Sequence, residues 1–212
     1  MDPSTGHDGR PVALRVSAVE VLGKRCVDLA TGFSCTPLQA ADGSLQLSGS
    51  AVASVKSSAD ARALLSRVLA KRATEATAAN ATSSRSHMVL TLAIGDDGDN
   101  NAAAGSLTLV DCAGSEWSAD SSAHNANRRQ EGAEINTSLH ALKQCVRAHA
   151  RRAAGDRSVR MPFRDSLLTR MLAPSFDESR CRLAVIGCVS PASASTEHTV
   201  STMRTVMELT GA

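Results

Sequence analysis

The stretch at residues 107–116 reads LTLVDCAGSE and sets the interpretation of the whole sequence. Its apolar part predicts a buried strand that ends at Asp111, and Gly114 follows after two small residues. A carboxylate at the tip of a buried strand suits a magnesium ion or its bound water, and a glycine lets a backbone N–H approach a phosphate. Taken alone, the motif is explained equally well by an Asp and a Gly that simply close a strand.

A second segment carries residue types that fit the same chemistry. Residues 80–87 read NATSSRSH and stand directly before another predicted strand. Serine hydroxyls are hard oxygen ligands for magnesium, and Arg85 can form a bidentate pair with a carboxylate such as Glu116. Without further support, a serine-rich segment is more often an ordinary loop.

Composition narrows the class of protein. The net charge is +2, and the chain has one Trp, three Phe and no Tyr. Neither bulk positive potential nor stacking side chains therefore favour a nucleic-acid partner. No apolar run approaches the ~20 residues that cross a bilayer, so no membrane partner is expected. The cysteines form no Cys-x-x-Cys pair, which argues against zinc and against a disulfide-stapled secreted domain and favours the cytoplasm.

The order of the predicted elements favours an α/β sheet packed between helix layers. Predicted strands lie at 12–21, 26–29, 51–55, 87–94 and 106–111, and predicted helices at 58–77, 131–152, 167–172 and 195–209. The apolar run CRLAVIGCV at 181–189 predicts one more strand, central in the sheet and covered on both faces. Residues 1–11 are expected to be a disordered N-terminus, and residues 12–212 to form one domain.

One side of the predicted helix at 131–152 is basic. Lys143, Arg147 and Arg151 are spaced four apart, so they form a stripe rotated away from the apolar face of the helix. Such a stripe is usually an ordinary solvated face, and a surface that binds an acidic partner is the alternative. The basic residues considered for such a surface are Lys143, Arg147, Arg151, Arg152, Arg157 and Arg160.

Four motifs together resemble the kinesin motor domain in order and approximate spacing. They are the two segments above, EGAEINTSLHAL at 131–142 and MPFRDSLLTRML at 161–172. The resemblance covers nearly the whole chain and is closest to the kinesin-13 internal motors, which depolymerise microtubules, through features such as ADSSAHNANRRQ at 119–130. It implies a partial motor fold of the P-loop NTPase type, with a central mixed β-sheet flanked by helices.

The resemblance also implies roles for individual residues. Residues 80–87 correspond to switch I of the family and residues 111–116 to switch II. Ser84 would then meet the magnesium shell, Asp111 a magnesium-bound water, and Gly114 the γ-phosphate of ATP.

Further implied contacts complete the two switches. Arg85 and Glu116 would form the salt bridge that closes when ATP is bound. The remaining loop residues implied to contact the nucleotide are Asn80, Ser83, Ser86 and His87. The helix at about 131–152 would act as the relay to microtubules, with the basic residues named above facing tubulin.

The sequence contains no Gly-x-x-x-x-Gly-Lys-Ser/Thr phosphate loop, whose backbone N–H groups and Lys neutralise a triphosphate. The resemblance implies that the chain begins at the fourth strand of the motor, and that ATP and Mg²⁺ bind only if a missing N-terminal half supplies the loop. Three interpretations stay open: a fragment of a microtubule motor or depolymerase that hydrolyses ATP weakly or not at all alone, a non-catalytic degenerate kinesin that binds microtubules, and an incomplete sequence.

Overall fold

The computed structural model describes residues 12–40, 45–78, 85–96, 103–114, 126–177 and 179–210. The chain divides into two compact units, residues 1–113 and 114–212. Within the described ranges, the strands and one α-helix belong to the first unit and the other α-helices to the second. The predicted disorder of residues 1–11 concerns positions outside the described residues.

The sheet of the first unit is built around a long strand, β1 (Val12–Leu22). It pairs antiparallel with β2 (Arg25–Asp28), β5 (Ala53–Val55) and β6 (His87–Asp96). In turn, β6 pairs antiparallel with β7 (Ala103–Asp111), so the strands predicted at 87–94 and 106–111 are present and form a hairpin. β7 stands at one edge of the sheet, and no described strand pairs with its outer side. The expectation that the strand ending at Asp111 is buried is therefore wrong for this chain, since Leu107 and Leu109 are exposed.

A helix covers part of one face of this sheet. Alternation along β1 places Val16 and Ala18 on that face, and they share a core cluster with Leu64 and Val68 of α1 (Ser58–Ala78). The helix begins as the sequence predicts, because the Asp60 N–H donates to Ser57 Oγ at 3.1 Å and caps the first turn. The apolar residues of α1 recur at a 3.6-residue spacing because that spacing places them on the side of the helix that faces the sheet.

A fully buried carboxylate organises the corner that follows β2. The Thr31 N–H and the Ala51 N–H each donate to Asp28 at 2.7 Å, and the Thr31 hydroxyl donates at 3.0 Å. These bonds tie the turn after β2 to the residues before β5, on either side of a separate hairpin of β3 (Thr36–Gln39) and β4 (Leu45–Ser48).

The second unit is helical. α2 (Ala126–Ala153) begins earlier than the predicted start at residue 131 and buries Ile135 and Cys145. α3 (Leu167–Leu172) is closed at its start by a capping box between Ser166 and Thr169. Its residues Leu167, Leu168 and Leu172 are buried, as is Phe176, whose ring contacts His149 edge-on at 5.7 Å between ring centroids.

The predicted central strand at residues 181–189 is wrong, since this run has no regular secondary structure. α4 (Thr196–Thr210) packs closely against one side of the run. The approach at Gly187 is so close that an added Cβ would lie 2.6 Å from Val206 Cγ2. The other side is open, and Ile186 is 87% exposed. A central strand needs neighbouring strands that take up its N–H and C=O groups, and no described strand pairs with residues 181–189.

No helix in the described ranges is both long and apolar enough to span a membrane.

We predict that Asp28→Asn lowers the free energy of unfolding by about 2 kcal/mol, because a buried charged acceptor of several hydrogen bonds is replaced by a neutral amide. Urea unfolding followed by circular dichroism measures the change. Thr31→Val is the matched comparison, since it removes the hydroxyl bond and leaves the Thr31 N–H bond in place. An equal loss in both variants would contradict the assigned role of the Asp28 carboxylate.

Candidate functional site

The register of the sheet brings one end of three strands together. Glu20 of β1 is paired with Met88 of β6, and Met88 is paired with Asp111 of β7. The three residues therefore stand in one row across the sheet. Ser86 and His87, at the end of the serine-rich loop, lie at this same end of the sheet.

Ser86 is held by the strand next to it. Its side chain is buried, with 1% of the residue exposed, and its hydroxyl donates to Glu20 Oε1 at 2.5 Å. The end of the loop is thereby attached to β1.

Arg72 of α1 joins the two sequence motifs. Its Nη2 donates to the Ser86 carbonyl oxygen at 3.1 Å and lies 3.2 Å from Asp111 Oδ2. Arg72 is 5% exposed, whereas 64% of the Asp111 side chain is exposed. A buried guanidinium requires a counter-charge and hydrogen-bond acceptors, and Asp111 and Ser86 supply both.

His87 makes a second link between the motifs. The ring is fully buried, and the Ala113 N–H donates to His87 Nδ1 at 3.1 Å. The pKa of His87 is lowered to about 4, chiefly by burial and also by the charge of Arg72, while the charge of Asp111 acts in the opposite direction. Because Nδ1 accepts a hydrogen bond, the neutral ring carries its proton on Nε2.

The structure places some of the predicted switch residues and leaves others as predictions. Arg85, Ser86, His87 and Asp111 are described, and the last three meet in one network with Arg72. Arg85 is buried, with 8% of the residue exposed. Gly114 is the first residue of the second unit. The other predicted contacts, at Asn80, Ser83, Ser84 and Glu116, lie outside the described residues, so the salt bridge between Arg85 and Glu116 stays a prediction.

Sequence reasoning missed Glu20 and Arg72, although a signal for both was present. Glu20 continues the alternation of Leu14, Val16 and Ala18 on the face of β1 that α1 covers. Arg72 likewise stands four residues after Val68, on the buried stripe of α1. A charged residue at a position that the period assigns to the core requires a buried polar partner, and it marks a candidate site.

The predicted basic stripe of the second unit is only partly exposed. Lys143 and Arg147 are half-buried, and Arg151 is paired with Asp156 at 2.7 Å. The half-buried Arg152 donates to the Val159 carbonyl oxygen at 3.4 Å. Of the six basic residues predicted to face an acidic partner, Arg157 and Arg160 are exposed and form no ion pair with another described residue.

A cleft of about 460 Å³ lies between α2 and α4. Arg147 lines it from α2, and Glu197, Val200 and Arg204 line it from α4. Arg147 is therefore directed towards α4, which explains why this position of the stripe is half-buried.

The sequence model of the kinesin motor-domain family matches residues 4–208 of this chain. The chain belongs to the kinesin motor-domain family. It is 43% identical over 146 residues to kinesin-like protein KIN-13B of Arabidopsis thaliana, a match that covers 66% of this chain and 20% of the relative. It is 40% identical over 151 residues to KIN-13A of Oryza sativa subsp. japonica, covering 64% of this chain and 18% of the relative. The predicted resemblance to kinesin-13 is confirmed.

A solved kinesin structure has the same fold. The KIF14 dimer with AMP-PNP in complex with a microtubule matches 94% of this chain and 58% of the KIF14 chain, with a TM-score of 0.77 and 29% identity. The predicted fold class, a β-sheet flanked by helices, is confirmed, and the pairs among the described strands are antiparallel. This kinesin chain spans about a fifth of the length of the curated relatives it matches.

We predict that His87 makes the kinesin chain less stable as the pH falls. Its pKa in the folded state is about 4 and lies below the ordinary value of 6.5. The unfolded chain therefore binds the proton first, and the stability present above pH 6.5 is lost as the pH falls towards 4. The full contribution is about 3 kcal/mol.

Urea unfolding across this pH range measures the effect, with His87→Asn as the comparison. Asn keeps an acceptor near the position of Nδ1 but does not titrate. The difference in stability between the wild type and His87→Asn should shrink as the pH falls. Parallel pH profiles for the two proteins would contradict the buried, neutral state of His87.

Proposed function

We propose that this chain is the nucleotide-sensing and microtubule-facing part of a kinesin motor. The observation that carries the proposal is the network in which Arg72 contacts both Ser86 and Asp111 and in which His87 accepts from Ala113. The two loops that the family resemblance assigns to γ-phosphate sensing thus end at one site, where a movement of either loop is transmitted to the other.

ATP with Mg²⁺ is the proposed ligand of this site. Asp111 presents a largely exposed carboxylate at the end of β7, which fits a ligand that contacts magnesium through water. No cluster of three or more His, Cys, Asp or Glu residues in the described part of the chain could hold the ion without help. The phosphates, held by a phosphate loop that this sequence does not contain, would supply the remaining oxygens.

Two open surfaces support a partner that carries this loop. β7 has an outer side that no described strand occupies, and Leu107 and Leu109 on this strand are 54% and 47% exposed. In the second unit, residues 181–189 are mostly apolar, lack regular secondary structure and are open on one side. Exposed apolar segments with unpaired backbone groups favour the addition of strands. We propose that the N-terminal half of a kinesin motor occupies both surfaces.

Microtubules are the proposed macromolecular partner, and the microtubule cytoskeleton in the cytoplasm is the proposed location. Arg157 and Arg160 are exposed beyond the end of α2, where they can meet an acidic surface such as that of tubulin. The solved KIF14 relative is itself in complex with a microtubule. Microtubule depolymerisation is the finer activity that the similarity to the KIN-13 proteins favours.

A non-catalytic microtubule-binding module is the second candidate. The exposed charges of Arg157 and Arg160 favour it, because they can bind an acidic surface without any nucleotide. Binding of a fluorescent ATP analogue separates the two candidates when the chain is mixed with the phosphate-loop half of a KIN-13 motor domain. Magnesium-dependent binding by the mixture, and not by either part alone, supports the nucleotide-sensing motor. Microtubule binding without any nucleotide binding by the mixture supports the module.

We predict that Ile186→Asp leaves the stability of the chain unchanged but weakens its association with the phosphate-loop half at least about tenfold, because a charge replaces an apolar side chain in the proposed contact. Ile186 is 87% exposed, so the chain alone loses little packing. Leu38→Asp, at a position that is 50% exposed on β3, is the matched control. Equal association of both variants would contradict docking at residues 181–189.

We predict that Arg157→Glu combined with Arg160→Glu reduces co-pelleting with microtubules, and that the wild-type binding weakens as salt is raised, because exposed charges are screened. The matched control is Arg62→Glu combined with Arg67→Glu, at exposed positions of α1. Wild-type binding that is insensitive to salt, or equal losses in both double variants, would contradict a tubulin-binding role for the basic surface.

A further inference from the structure

We propose that Arg72 is a positioning residue that holds the two sensing loops in a fixed position relative to each other when no nucleotide is bound. The proposal rests on the proposed function, which assigns γ-phosphate sensing to these loops. Arg72 belongs to neither sequence motif, and it stands on α1, a separate element. Its place in the structure, between Ser86 and Asp111, is the basis of the proposal.

A single nitrogen of Arg72 serves both loops. Nη2 lies 3.1 Å from the Ser86 carbonyl oxygen and 3.2 Å from Asp111 Oδ2. A backbone carbonyl of one loop and a side-chain carboxylate of the other therefore share one donor atom. Nη2 carries two N–H groups and can donate to both acceptors at once, so a movement of the guanidinium that follows one acceptor changes its geometry to the other.

Burial gives the two partners different freedom. Arg72 is 5% exposed and is anchored by its helix, whereas 64% of the Asp111 side chain is exposed. An exposed carboxylate can exchange a protein partner for water at little cost, but a buried guanidinium cannot lose its acceptors so easily. Arg72 is thus the fixed member of the pair and Asp111 the movable one.

This arrangement orients Asp111 for the proposed ligand. Arg72 contacts Oδ2, and a carboxylate has a second oxygen, Oδ1, that can accept a hydrogen bond from a water. Holding Oδ2 selects one rotamer of Asp111 and so sets the direction of Oδ1. At the same time, the contact with the Ser86 carbonyl oxygen fixes the backbone that leads into β6.

The test is hydrogen–deuterium exchange of the whole chain without nucleotide, comparing Arg72→Met with the wild type. We expect exchange to rise at least about tenfold in the two segments that Arg72 joins, residues 85–87 and 111–113, while the β1–β2 hairpin at residues 19–28 stays unchanged. Arg67→Met, at an exposed position of the same helix, should change neither segment.

A double variant tests whether Arg72 acts through Asp111. Because the two side chains form one link, Arg72→Met combined with Asp111→Asn should exchange at residues 111–113 no faster than Arg72→Met alone. If Arg72→Met does not fold, Asp111→Asn carries the test, with the same rise expected at residues 111–113.

Several results would overturn the proposal. The first is an exchange rate in Arg72→Met that matches that of Arg67→Met, and the second is an equal rise of exchange throughout the first unit. The third is an additive increase of exchange in the double variant, and the fourth is unchanged exchange at residues 111–113 in Asp111→Asn. The experiment contains no nucleotide, so its result is independent of whether the chain binds ATP. A failure of ATP binding in the mixture with a phosphate-loop half would overturn the proposed function and leave the exchange result standing.

Discussion

The antiparallel register of β1, β6 and β7 is the constraint on which the candidate site depends. It sets Glu20, Met88 and Asp111 in one row and so brings the end of the serine-rich loop beside the turn after Asp111. A slip of one residue would turn every side chain of a strand to the opposite face. The apolar residues that face α1 prevent such a slip, because it would expose the core cluster. Core packing therefore also positions the polar site.

The polar site has both a structural and a proposed functional role. Arg72 and Glu20 occupy positions that the periods of their elements assign to the core, and each is compensated by a partner from the loop before β6. Replacing such a network by apolar residues often costs no stability, which makes its presence at a core position informative. Under the proposed function, this network joins two segments that respond together to one phosphate.

Local pattern predicted most elements because local physics forms them. The Ser57 cap and apolar stripe of α1, the hairpin of β6 and β7, and the short helix α3 each depend on neighbours close in sequence. The run at residues 181–189 was predicted wrongly because a strand is defined by partners that are distant along the chain. Its apolar composition indicates that the run favours burial, but it does not specify which strands, if any, lie beside it.

The sequence by itself determined the family, the two loop motifs and the residue types suited to magnesium and phosphate, because these are properties of residue identity and spacing. Only the tertiary structure decided that Arg72 joins Ser86 to Asp111, and that Arg151 is paired with Asp156 instead of standing free in the basic stripe. The physical reason is that a charged side chain is neutralised by whatever lies within a few ångströms, and spacing along one helix does not specify what another element places there.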